Sequence, residues 1–278
     1  MLHVLAAIRW DMDPYLFRFE NGFGIKYYGL AYALGFLIAG LLLYLYWRKG
    51  RSSLNVDGQS DLLLYAMLGT LVGGRLGYIF FYEPEILLSP RDWLAVWRGG
   101  MASHGGFLGV MAGTWFAARK HKISFLSAGD LMATLAPPGL MLGRIANFIN
   151  AELWGHRTNV PWAVEFAIRD ANNEIVRYTE PRHPSQLYEA ALEGLLLLVY
   201  TQWRLWRTPV LREQPGRLVR EFLLGYAIVR VIGEQFRVPD EGIPAPFGIN
   251  RGAWLSLGLA AAGIVLIVRA RRKRKDGA

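Results

Sequence analysis

Arg144, Asn147, Asn150 and Glu152 lie close together in LGRIANFINAELWG, residues 142–155, a stretch that is otherwise apolar. At helical spacing Arg144 and Asn147 are neighbours, three residues apart. An upstream run at 131–142 is greasy enough for lipid, and a cation beside such a run is costly without a partner. Arginine is the side chain best shaped to hold a phosphate. The stretch therefore reads as an anion-holding corner at the edge of a bilayer.

Four further groups could share in chemistry. In GYAIVRVIGEQFR, Tyr226, Arg230, Glu234 and Arg237 fall on one helical stripe. In MASHGGFLGV, His104 precedes two glycines that permit close approach of a backbone or a ligand. Histidine is also the side chain suited to taking a proton near neutral pH. Arg75 and Tyr78 in GGRLGYIF suit either a packing motif with a snorkelling arginine or a site. Tyr28 in YYGLAY stands where an interfacial aromatic belt is common. RHPSQLYE holds His183, Ser185, Gln186 and Glu189, read mainly as the cap of a helix; no carboxylate is set to orient His183 for a serine nucleophile. No His pair at i, i+4 and no HExxH points to a metal. The chain has no cysteine, so thiolate catalysis and disulfides are excluded and any reacting thiol belongs to a substrate.

The elements that must position these groups are membrane spans. Of 278 residues, 53% are hydrophobic, arranged in blocks of about 20, the length that crosses ~30 Å of hydrocarbon. The fold class expected is an all-α polytopic membrane protein with about seven transmembrane helices, near 25–47, 61–81, 104–118, 129–148, 185–203, 218–236 and 252–268. Residues 1–150 carry spans one to four. Residues 151–183 form a small periplasmic head with two short strands joined by a turn at 170–173, between spans four and five. Residues 184–278 carry spans five to seven and a basic tail. Pro137-Pro138-Gly139 predicts a kink or break in span four, and Pro184 marks the start of span five. The N-terminus lacks the basic flank and long apolar run of a cleavable signal peptide.

The net charge of +9 is not a nucleic-acid footprint, because the cations cluster between apolar blocks. Arg48, Lys49 and Arg51, then Arg119, Lys120 and Lys122, then the 204–220 arginines and the tail from Arg269 mark one side. The positive-inside rule makes that side cytoplasmic and the N-terminus external. Lys26, Arg75, Arg144, Arg230 and Arg237 fall within or beside spans, all on the outer side. A phosphate held there, beside hydrocarbon, belongs to a phospholipid head group.

GRIANFINAELWG resembles the signature of bacterial prolipoprotein diacylglyceryl transferases. The resemblance extends over the whole chain through YYGL, GGRLGY, GGMASHGG, RHPSQLYE and the Tyr226–Arg237 run. It implies a seven-span enzyme of the bacterial inner membrane that moves the diacylglyceryl group of phosphatidylglycerol to the thiol of a lipobox cysteine, releasing glycerol 1-phosphate, with no metal or soluble cofactor and no nucleic-acid partner. Carried onto this chain, it implies Arg144 and Arg230 at the phosphate, His104 or Tyr226 as the base, Glu234 orienting Arg230, and Asn147 with Glu152 at the head group. Gly155, Tyr28 and Arg75 complete the expected lipid-binding set. Lys26 departs from the pattern, standing where some members have histidine. The alternative from another class is a phospholipid or anionic-solute transporter with a basic intramembrane site; the one-sided grouping of polar residues argues against it.

Overall fold

A computed structural model describes residues 7–19, 24–93, 95, 100–170 and 172–239. The expected seventh span and the basic tail lie outside the described residues. Among those described, the chain is mainly helical. Strands β1 (Ile8–Trp10), β2 (Tyr15–Arg18) and β3 (Gly24–Lys26) lead into α1 (Tyr27–Arg48), α2 (Val56–Phe81), a short α3 (Pro90–Trp93), α4 (Ser103–Lys120) and α5 (Phe125–Ile149). Strands β4 (Val164–Arg169) and β5 (Ile175–Tyr178) follow, then α6 (Ser185–Glu189), a π-helical segment Ala190–Leu196, α7 (Leu197–Arg207), α8 (Val210–Glu213) and α9 (Arg217–Glu234). Three of these, α1, α2 and α5, are long and apolar enough to cross a membrane.

The chain divides into two compact units. The first takes the described residues through Gly35, then Ala136–Trp203, then those from Arg220 on; the second takes Phe36–Leu135 and Arg204–Val219. In the second, Ala39, Leu43, Tyr46, Leu62, Leu131, Leu135 and Leu205 form an apolar core. Helices α2 and α4 pack there through two glycine ladders, Gly69, Gly73 and Gly77 against Gly105, Gly109 and Gly113. A methyl added at Gly109 would lie 1.8 Å from the Gly69 carbonyl, and one at Gly73 would lie 2.3 Å from that of Gly105. Small residues at such an interface let backbones touch where lipid offers no hydrophobic drive. At the far end of this pair Asp61 binds both Lys120 (2.8 Å) and His121 (2.6 Å). Asp130, fully buried on α5, accepts from the main-chain N–H groups of Gly216 and Val219 and so caps the start of α9.

In the first unit β4 and β5 pair antiparallel, and the Asn173 N–H closes the turn onto the Asp170 carbonyl, as the head predicts. The sequence reading lacks β1, which joins β4 in parallel to give the order β1-β4-β5. It also lacks the β2–β3 hairpin. Phe166, Phe148 and Val164 form the core beneath this sheet, with Trp10 and Trp154 against it. Of the kink or break expected at Pro137 and Pro138, the break is absent: helix α5 continues through both. Both prolines are buried, so the carbonyls they leave without helical donors lie inside protein rather than lipid. Irregular geometry appears instead after α6, where the seven residues Ala190–Leu196 are π-helical.

Candidate active site

Three helical stretches of the first unit bring five charges together. Arg144 of α5 donates from Nε and Nη2 to Glu193 Oε2 at 3.2 and 3.1 Å, and its Nη1 lies 3.1 Å from Glu189 Oε2. Arg230 of α9 reaches the other oxygens of the same carboxylates, Glu189 Oε1 at 2.5 Å and Glu193 Oε1 at 2.9 Å. Its Nη2 donates to Glu234. Each carboxylate thus bridges both arginines. Glu189 and Glu193 are fully buried, whereas 16% of the Arg144 side chain is exposed. An incoming anion therefore meets Arg144 first.

The local structure explains why these groups meet. Gly194 sits against Met141, where an added methyl would lie 2.4 Å from Met141 Cβ. That close approach sets α5 beside the π-helical segment one turn before Arg144. The π geometry widens the turn, with i→i+5 bonding, and brings Glu189 and Glu193 nearer to eclipsed. Gly233 lets α9 approach the Glu189 side chain. Tyr226 lies one turn before Arg230, buried and stacked on Phe222 at 6.1 Å.

Above this cluster the signature loop folds back. Asn147 and Asn150 both donate to Glu152 Oε1, at 2.7 and 3.4 Å. Gln186 donates to the Glu152 carbonyl (2.6 Å) and Ser185 to that of Leu153 (3.1 Å). Ser185 and Gln186 therefore hold the loop and make no cap for α6, whose N-terminus carries no side-chain cap bond. Ala151 and Leu153 adopt positive φ, 53° and 58°, conformations kept by these clamps. Gly155 is packed so tightly that an added methyl would fall 2.5 Å from the Phe236 carbonyl. Its N–H binds the His183 carbonyl, and it bridges to Arg237. The requirement for glycine at 155 is one of main-chain approach. His183 binds Tyr188 at 3.2 Å, and burial, then neighbouring His156, hold its imidazole below its ordinary pKa.

Tyr28, the second residue of α1, has its ring 5.4 Å from that of Tyr32 and lies within electrostatic reach of Arg144 and Glu152. Arg75, buried in the second unit, donates to the main-chain carbonyls of Trp93, Gly100 and Asp92 at 3.0, 3.1 and 2.7 Å; it ties down a loop. His104 is the second residue of α4, half-buried, in that same unit. Lys26 lies over the Tyr15 ring at 5.0 Å. The sequence reading took Glu189 for part of a cap and passed over Glu193. The signal was available: Gln186, Glu189 and Glu193 recur at i, i+3 and i+7, the spacing that revealed the Tyr226–Arg237 stripe.

Comparison with known proteins gives this arrangement its context. Residues 14–269 match the family model described as prolipoprotein diacylglyceryl transferase. A relative from Roseobacter denitrificans, named phosphatidylglycerol–prolipoprotein diacylglyceryl transferase, is 42% identical over 94% of this chain and 96% of its own length. Proteins of the same name from Nitrosospira multiformis (44% identical; 89% of this chain, 83% of that one) and Zymomonas mobilis (39%; 97% and 92%) are similar over comparable spans.

Proposed function

The chain belongs to the prolipoprotein diacylglyceryl transferase family, and on that premise we propose that it transfers the diacylglyceryl group of phosphatidylglycerol to a prolipoprotein. The observation that carries the site assignment is the largely buried Arg144 beside Arg230, both oriented by buried carboxylates in an apolar helical surround. The acceptor is the lipobox cysteine. Its sulfur attacks the glyceryl carbon, a C–S bond forms as the C–O bond to phosphorus-bound oxygen breaks, and glycerol 1-phosphate leaves. The thiol proton passes to a base, and free thiols, with pKa about 8.5, need one near neutral pH. The HGG pattern supports His104 as that base, and the shared stripe with Arg230 supports Tyr226 as its rival.

Arg144 and Arg230 balance the charge that grows on the departing phosphate. Glu234 orients Arg230, and Asn147 with Glu152 faces the head group. Three apolar helices and family membership support a membrane enzyme. The finer topology proposed is seven spans in the bacterial inner membrane, N-terminus outside, C-terminus cytoplasmic, active site toward the outer leaflet. The transporter alternative has no support among relatives that carry a transferase's name.

The test uses purified protein, phosphatidylglycerol and a lipobox peptide, followed by mass. A diacylglyceryl gain is expected, lowered about 10²–10³-fold in Arg144→Ala, the scale of losing one preorganised donor. Undiminished transfer in Arg144→Ala together with His104→Gln would overturn the assignment. Full activity in Arg144→Lys would show that charge alone, rather than the guanidinium fork, is required.

A further inference from the structure

Two buried acceptors beside the arginine cluster have no donor among the described residues. Asn150 gives its Nδ2 to the Glu152 carboxylate and Gln186 gives its Nε2 to the Glu152 carbonyl. Only the amide NH2 can make either bond, which fixes both orientations. Asn150 Oδ1 and Gln186 Oε1 are left buried and without a partner. Buried polar atoms in native structures are paired, so two orphans of one kind around one residue call for a ligand that donates.

Their place says what that ligand is. Down α5, Asn150, Asn147 and Arg144 follow one another at intervals of three residues. Down α6 and the π-helical segment, Gln186, Glu189 and Glu193 follow at three and four. The two rows meet at the bottom, where Arg144 binds Glu189 and Glu193. They meet again at the top, where Asn150 and Gln186 both bind Glu152. Gln186 and Glu193 share one face, seven residues or about two helical turns apart, so a phosphate on Arg144 beside Glu193 has the Gln186 acceptor further along that face. Asn150, just past the end of α5, joins Gln186 there, both amides donating to Glu152 in the turn at 151–153.

We propose that Asn150 Oδ1 and Gln186 Oε1 accept hydrogen bonds from hydroxyls of the alcohol esterified to the lipid phosphate, and that these two residues select a polyol head group. The inference rests on the transferase reading of the site. Uncharged amide oxygens suit uncharged hydroxyl donors, and a site built to pair a hydroxyl discriminates against the analogue that lacks it.

The experiment compares phosphatidylglycerol with phosphatidylpropanol, whose three-carbon head group carries no hydroxyl, as donors to a lipobox peptide in detergent. The full-length protein is expected to prefer phosphatidylglycerol by about 100-fold in kcat/KM, about tenfold for each acceptor that phosphatidylpropanol leaves unpaired. Asn150→Ala and Gln186→Met are expected to reduce that preference to less than about tenfold, whatever their effect on the absolute rate. A residue that served only the loop's fold would weaken both lipids equally and leave the ratio untouched; that result would overturn the proposal. Equal use of both lipids by the unaltered protein would also overturn it while leaving the transferase reading intact. No transfer from either lipid would overturn the transferase reading itself.

Discussion

Arg144 is held by two carboxylates from one neighbouring helical stretch, and those carboxylates also hold Arg230. Removing one member of a buried ionic set leaves the others uncompensated, at a cost of about 3–5 kcal/mol. Glu193→Ala is therefore expected to lower the thermal midpoint markedly. Glu193→Gln should fold better yet raise KM for lipid, because the fork of Arg144 is no longer fixed. A Glu193→Gln protein with unchanged stability and kinetics would show that Glu193 orients nothing. At His183 the argument concerns pH. Its folded pKa lies below the ordinary 6.5 because of burial and His156. As pH falls, the unfolded chain takes up the proton first, so the contribution is whole above about 6.5 and is lost as pH drops below it. Detergent melts at pH 7.5 and 5.5 should show acid destabilisation in the native protein and less in His183→Asn; stabilisation by acid would contradict this. At this scale the sequence spoke clearly wherever a charge interrupted an apolar run, as at Arg144, Arg230 and Glu234. It spoke poorly at Glu193, because the second of two carboxylates in LYEAALEGLL resembles an ordinary surface position until its partners on other helices are known.

Among the elements, the glycine ladders carry the sharpest expectation. Gly105 and Gly106 are adjacent in the HGG motif but differ in surroundings. A methyl at Gly105 would lie 2.1 Å from the Gly73 carbonyl, whereas one at Gly106 would meet nothing nearer than 3.8 Å. Gly105→Ala should therefore destabilise by roughly 1–3 kcal/mol or more, since backbone cannot move aside, while Gly106→Ala should melt like the native protein. Equal melting of the two would refute close α2–α4 packing. Helix positions were readable from apolar blocks alone: a span read at 25–47 is α1, Tyr27–Arg48, and one read at 129–148 lies within α5. The strands before α1 were not, unlike β4 and β5. β1 is three residues long and finds its partner at Val164–Phe166, a pairing with no local trace. The break absent at Pro137-Pro138 has a related reason, since a proline's cost depends on what surrounds the freed carbonyls.

For the whole molecule, the proposed topology can be read with the chain's lack of cysteine as an advantage. Ser53 and Ser89 are both exposed, one following α1 and the other between α2 and α4. A membrane-impermeant maleimide applied to intact spheroplasts should label Ser89→Cys and spare Ser53→Cys until the membrane is opened; the reverse pattern would invert the topology. The orientation was legible only through the distribution of lysine and arginine, because apolar length says that a helix crosses and not which way. The π-helical segment Ala190–Leu196 adds a constraint of another kind. A π turn holds one residue more than the α-helix it interrupts. Deleting one residue between Glu189 and Glu193 would let the helix close into regular α geometry with its two ends still in phase. The two carboxylates would then stand three residues apart instead of four, about 60° from each other around the axis, though no side chain in either row had been altered. In this part of the protein an edit to length is more damaging than an edit to spelling.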